Sequence, residues 1–283
     1  MTETERFSTY EPDNSLKKGY QSLFGEALSE LHTNRWLIYQ LFKKDFLALY
    51  KQSFMGFAWA IVVPLLSVGT FIALNGSGVW NIGAISVPYP LYAILGMAFW
   101  QLFSTGIVAN SNSLVSAGAM IAKINFSKKS LVVASTGQSL LSFIIQLCLA
   151  FTLLLWYHIV PSIAILLFPL LMVPIVLFTL GLGFLLALLN GIMRDIGNLI
   201  AVLVTFLMLL TPVLYAKPTT GILATLSTYN ILYYLVTVPR DLVLFGTTQN
   251  LNAFVLSSVI AAVVFAACLG IFHLTEARIA ERI

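Results

Sequence analysis

The chain has 283 residues, 59 % of them hydrophobic and only 9 % charged, with 15 Lys and Arg against 11 Asp and Glu for a formal net charge of +4. A soluble domain is ordinarily about 25 % charged. A mean hydropathy of +0.93 leaves more apolar surface than a water-soluble fold of this size can hide, so the reading is an all-α, polytopic membrane protein. A transmembrane barrel would show short alternating segments, whereas the apolar runs here are continuous.

Residues 1–23 read as a polar amino-terminal tail. Over 24–52 the pattern predicts an amphipathic interfacial helix: Ile38, Phe42, Phe46 and Leu49 recur at helical spacing, interrupted by Gln40, Lys43, Lys44 and Lys51. Such a helix lies along the bilayer surface with its lysines toward lipid phosphates, and a plain membrane anchor fits the same pattern. Residues 53–283 form the transmembrane domain. No charge occurs from Gln52 to Ala122, and roughly 20 apolar residues cross the hydrocarbon, so this block holds two spans, at about 56–75 and 90–111. They are divided by Asn75, Gly76, Gly78, Gly83, Pro88 and Pro90. A basic loop, MIAKINFSKKS (120–130), follows. The next blocks place spans at about 131–156, 163–190 and 198–215, and the last at about 252–273. The stretch 217–248 is too apolar for a solvated loop and too interrupted, by Pro218, Gly221, Pro239 and Gly246, for two crossings. Two short re-entrant helices fit it, and re-entrant backbone survives only where protein or a water-filled cavity covers it. Arg240 and Asp241 at its turn suit a local ion pair as well as they suit substrate binding.

Six spans put both termini on one side. Of the Lys and Arg residues, only Lys217 and Arg240 fall in loops on the opposite side. The positive-inside rule therefore places both termini and the 120–130 loop in the cytoplasm, and the positive charge reports topology, not nucleic-acid binding. No removable signal peptide is expected in the first 50 residues. Cys148 and Cys268 fall inside spans and read as small core residues. Gly69 and Ala73 have a small-xxx-small spacing that suits helix pairing.

The sequence is poor in catalytic chemistry. His32, His158 and His273 lie on separate segments with no metal-ligand spacing, and no phosphate-binding loop of the GxxxxGK[S/T] type occurs. Asp45, Asp195, Asp241, Glu276 and Glu281 sit at span ends or in loops, so the buried carboxylates of an ion-driven carrier are not predicted. Any engine would be a separate subunit. Leu114, Ala117, Ile121 and Ile124 repeat at helical spacing among the loop lysines, a pattern that suits docking into another protein's groove; a simple orientation signal fits too.

Six stretches in order resemble the membrane subunit of ABC transporters that export polysaccharides and polyol phosphates. YKQSFMGFAWAIVVPLL (50–66, with Gly56, Trp59 and Pro64) resembles that family's approach to the first span, PYPLYAILGMAFWQLF (88–103) its second span, and NSLVSAGAMIAKINFSKK (112–129) its coupling-helix loop. NGIMRDIGNL (190–199) resembles its cytoplasmic Asn-x-x-x-Arg-Asp turn, TPVLY (211–215) the exit of the fifth span, and YNILYYLVTVPRDLVLFG (229–246) its re-entrant segment. Two positions depart from the family pattern: Ser127 replaces the usual proline after Phe126, and Ile231 the one after Asn230.

The resemblance implies two copies of the chain around a channel, bound to two cytoplasmic ATPase subunits that carry the ATP and Mg²⁺; the chain itself would bind no cofactor and no metal, and would not be an enzyme. It implies a coupling helix at about 113–126, with Ala117, Ile121, Lys123, Ile124, Phe126 and Lys128 meeting the ATPase and Arg194 and Asp195 bracing the contact. Tyr229, Asn230, Tyr233, Tyr234 and Arg240 would form an outer gate. A sliding glycan needs aromatic surfaces that hold sugars without fixing them, which makes Phe57, Trp59, Phe71, Phe99, Trp100, Phe103 and Tyr215 candidates for the channel; for each, a lipid-facing ring is the alternative. The expected cargo is an undecaprenyl-diphosphate-linked polysaccharide, O-antigen first, crossing a bacterial inner membrane. Teichoic acid, capsule, or a lipid or drug are alternative cargoes. A passive channel, a membrane scaffold and a membrane-embedded glycosyl-transfer enzyme are alternatives of another class.

Overall fold

A computed structural model describes residues 20–51, 58–77, 85–121, 123–124, 126–217 and 220–279; Phe57 and the first part of the polar tail fall outside them. The described elements are helical: α1 (Tyr20–Thr33), α2 (Arg35–Lys51), α3 (Trp59–Gly76), α4 (Tyr89–Ser116), α5 (Gly118–Ile121), α6 (Lys129–Trp156), α7 (Phe168–Ile192, after a 3₁₀ turn at Ile163–Leu167), α8 (Asp195–Leu210), α9 (Ile222–Tyr229), α10 (Ile231–Phe245) and α11 (Leu251–Ile279). Four helices are long and apolar enough to cross a membrane, namely α4, α6, α7 with its 3₁₀ turn, and α11; the α9–α10 pair, bent by 82°, makes a fifth if counted as one broken span. The helices expected as the first and fifth spans are shorter, with apolar stretches at Trp59–Leu74 and Asp195–Leu210. At about 1.5 Å per residue, α8 covers about 24 Å of a hydrocarbon layer roughly 30 Å thick.

α4 is the hub, packing most extensively on α6 and α7, while α7 also packs on α11. Apolar side chains from these helices fill the core: Phe99 meets Phe143 and Phe168 with ring centroids 5.2 and 5.4 Å apart, and Phe103 stacks on Phe178 at 6.0 Å. Inside a membrane, lipid is as apolar as leucine, so helices are held together by close backbone approach and buried polar bonds. Both occur around Asn110 of α4, which meets α7 on one side and α6 on the other. A Cβ on Gly183 would lie 2.5 Å from Asn110 Nδ2, so only glycine lets that amide nest against α7. Asn110 Oδ1 accepts from Ser135 and Thr136 of α6 at 2.7 and 2.9 Å.

The expected single helix over 24–52 is interrupted at Asn34, whose side chain donates to the Glu30 carbonyl at 2.9 Å. The break lets α1 pack on α11 and α2 on α6. The Ile38, Leu41 and Phe42 face of α2 therefore meets protein, while Trp36 and Tyr39 stay exposed; the side chain of Leu49 lies outside the described residues.

Candidate functional site

The loop between α4 and α6 lies at one end of the helices, together with α1, α2, the α7–α8 turn and the end of α11. The helix expected over about 113–126 differs in form. α4 continues to Ser116 because Ser113 and Leu114 are buried on its inner face, and a single turn, α5, follows. That turn is closed by Met120 and Ile121 N–H groups donating to the Ala117 carbonyl, both at 2.9 Å. Ala117 is buried, and Ile121 and Phe126 are half-buried against the adjoining core. Lys123 and Ile124 form the exposed tip, Ile124 at 58 %. A large apolar side chain held out beside a cation, on a loop whose base is anchored, is the form of a docking knob.

The base is anchored by a charge cluster. Lys128 is buried; its backbone N–H donates to a Glu276 carboxylate oxygen, and its Nζ donates to the Glu276 carbonyl at 3.2 Å. Lys129, 1 % exposed, places Nζ 2.5 Å from carboxylates of both Glu30 in α1 and Glu276 in α11. It also lies 2.8 Å from His273 Nδ1; an ammonium has only protons to give, so Nδ1 is the acceptor and the ring proton sits on Nε2. Glu30, His273 and Glu276 are spaced like metal ligands, but the lysine ammonium occupies their centre. None of these four stood out in the sequence, where Lys129 counts only toward topology and the partners lie more than 90 residues away.

The Asn-x-x-x-Arg-Asp turn has a comparable lock. Asn190, 1 % exposed, donates to the Ser111 carbonyl at 2.9 Å and to Asn112 Oδ1 at 3.1 Å, and accepts from Gly197 N–H at 2.8 Å. It joins α4, α7 and α8, leaving Arg194 and Asp195 exposed; Asp195 sits in the first turn of α8, where a negative charge complements the helix dipole. Replacing Asn190 with alanine strands the Gly197 N–H and the Ser111 carbonyl. The expected loss is about 2 kcal/mol, read as a lowered thermal unfolding midpoint of the purified chain.

At the opposite end, α9 and α10 meet at Asn230. Its Oδ1 caps α10 by accepting from Leu232 N–H at 3.0 Å, and its Nδ2 donates to Thr211 Oγ1 at 2.8 Å. Tyr234 Oη donates to the Thr228 carbonyl at 2.8 Å, Tyr233 packs edge-on against Tyr234, and Tyr229 is 83 % exposed. Arg240 is 3 % exposed and donates to Asp241 at 3.0 Å and to the Val213 carbonyl at 2.9 Å. Tyr215 donates to the Leu209 carbonyl at 2.7 Å.

The aromatic candidates divide. Phe99, Trp100 and Phe103 are 0, 3 and 2 % exposed, their rings spent on packing within α4, α6 and α7, with no face left for a polymer. Trp59 is 45 % exposed and Phe71 half-buried. Both lie on α3. Beside the loop, α2 and the ends of α4 and α6 enclose a cleft of about 370 Å³ lined by Phe42, Lys44, Ser113, Ser135 and Gln138 among others.

Residues 37–244 match the family described as ABC-2 type transporter. The chain is 27 % identical over 191 residues to the O-antigen export system permease protein RfbA of Myxococcus xanthus, covering 67 % of this chain and 72 % of that protein. It is 24 % identical over 250 residues to a Klebsiella pneumoniae protein of the same name, covering 87 % and 94 %.

Proposed function

The chain belongs to the ABC-2 type transporter family, and from that premise we propose that it is the channel-forming permease of an ATP-driven exporter for a lipid-linked polysaccharide, undecaprenyl-diphosphate-linked O-antigen. As a permease of this family it is a multi-pass membrane protein and a transport subunit, with ATP hydrolysed by its partner.

The observation that carries the reading is the exposed Lys123–Ile124 tip on a loop tied at its base to α1, α6 and α11. A knob anchored to three helices transmits a push into the membrane domain; a loop serving only to orient the chain needs no such tie. The relatives' names support the cargo. The basic loop end faces the cytoplasm by the positive-inside rule, with Lys217 and Arg240 toward the outside and α9–α10 forming the gate. α3 and α8 complete six spans. Only Gly197 and Ile200 of α8 are buried, and Leu199, Val202, Leu203 and Phe206 are all more than half exposed. A second copy covers this face, and Trp59 and Phe71 of α3 supply channel aromatics.

The test is to extract the tagged chain in mild detergent and identify its stoichiometric partner by mass spectrometry. A P-loop ATPase at one-to-one ratio supports the exporter. Recovery of the chain alone, under conditions that keep a known exporter intact, points to a channel or scaffold.

A further inference from the structure

We propose that a pocket at the gate end is a binding site for a phosphate-type anion, met in the cell as the diphosphate of the lipid carrier. The pocket encloses about 290 Å³ between α4, the segment after α8, and α10, with Ser86, Tyr92, Lys217, Tyr233, Arg240 and Asp241 among its lining residues. That volume is at the low end of the roughly 300–1,000 Å³ of small-molecule sites.

Its floor is Arg240. The guanidinium lies on the face of Tyr92, 3.7 Å from the ring centroid; Nε is held by Asp241 and Nη1 by the Val213 carbonyl. A guanidinium has five N–H donors; Asp241 and the Val213 carbonyl take two and the Tyr92 hydroxyl takes a third, which leaves donors to spare. The close approach of Val213 is built in: a Cβ on Gly96 would lie 2.7 Å from the Val213 carbonyl oxygen and 3.3 Å from Arg240 Nη1. A second cation stands at the rim, Lys217, whose Nζ donates to Thr228 Oγ1 at 3.0 Å and lies 5.1 Å from the Tyr233 centroid.

Two cations against one carboxylate leave a net positive charge at the pocket. A mere staple for α10 needs neither the second cation nor the cavity. A planar fork with donors to spare beside an ammonium suits phosphate. The lipid carrier as source rests on the exporter reading; the anion site does not.

The test uses the full chain in phosphatidylcholine nanodiscs and follows its unfolding midpoint with inorganic diphosphate, glucuronate or glucose added, or with undecaprenyl diphosphate included in the bilayer. Saturable stabilisation by diphosphate is expected, with none from glucose. Lys217→Gln, at the rim, and Arg240→Lys, which keeps the charge and loses the fork, should each weaken it by about tenfold or more. Undecaprenyl diphosphate acting at lower concentration than free diphosphate, and sensitive to Lys217→Gln, supports the lipid as source; lipid binding indifferent to that change overturns it. Glucuronate binding as well as diphosphate overturns the phosphate assignment. No saturable anion effect, or one that both substitutions leave untouched, overturns the site. Because no ATPase is present, failure here leaves the exporter reading standing; recovery of the chain alone in the co-purification test would sink the exporter reading and leave an observed anion site in place.

Discussion

Changing Lys123 and Ile124 together to glutamate is expected to reduce ATP-driven export by about tenfold or more and to release the ATPase during purification, with the unfolding midpoint unchanged. Both side chains are exposed, and Ile124 is 58 % exposed, so their loss removes little from the protomer's own packing. At a protein interface a few central residues carry most of the binding energy, and a buried carboxylate in place of an apolar anchor costs its desolvation as well. The pair of changes also reverses the tip's charge. Lys123→Arg, which keeps it, should export normally. Full export with the complex intact would reduce the loop to an orientation signal.

Lys129→Ala should cost the folded protein about 3 kcal/mol, since removing one partner of a buried ion pair strands the other charge. The figure is kept near the low end of the usual range because Glu30 is 28 % exposed, whereas Lys129 is 1 % and Glu276 12 % exposed. What is stranded here is a pair of carboxylates facing each other across the vacated ammonium. Neutralising them should restore most of the loss, so Lys129→Met with Glu30→Gln and Glu276→Gln is expected to melt close to the unchanged protein. Failure of that rescue would mean that the ammonium's directed hydrogen bonds to Glu276 and His273, and not charge balance alone, hold α6 and α11 together. The single change should also weaken coupling more than it weakens ATPase binding, because the tip at Lys123 and Ile124 persists while its anchorage is lost.

The long apolar helices were legible because membrane burial leaves charge-free runs, but the bend of the 217–248 stretch was not: the turn expected at Arg240 and Asp241 lies inside α10, which also accommodates Pro239, and the break falls at Asn230 instead. Nor was the arrangement of the helices legible. Of the four long spans, α4 has the lowest mean hydropathy, 1.5, and the largest buried share, 78 %. Hydropathy reports contact with lipid, so the central helix, which turns Asn110, Ser111 and Ser113 inward, looks the least membrane-like. Phe99, Trp100 and Phe103 consequently read as channel candidates although α6 and α7 enclose them. Asn110 and its neighbouring serines were the available signal, since polar side chains in a span face protein. The Lys129 cluster was hidden for another reason: its members come from three helices, and each alone resembles an ordinary charge at a span end. In α10, the Arg240–Asp241 pair was readable because the two are adjacent, but the approach of Val213 and Tyr92 depends on the tertiary fold.

The central claim is best tested by reconstituting the chain with its ATPase partner in liposomes that carry a lipid-linked polysaccharide on the ATPase-facing leaflet, and following its appearance on the other leaflet. The account predicts ATP-dependent transfer of the intact polymer, lost on changing Lys123 and Ile124 to glutamate. Transfer that proceeds without ATP, or ATP hydrolysis that moves no polymer, would contradict it.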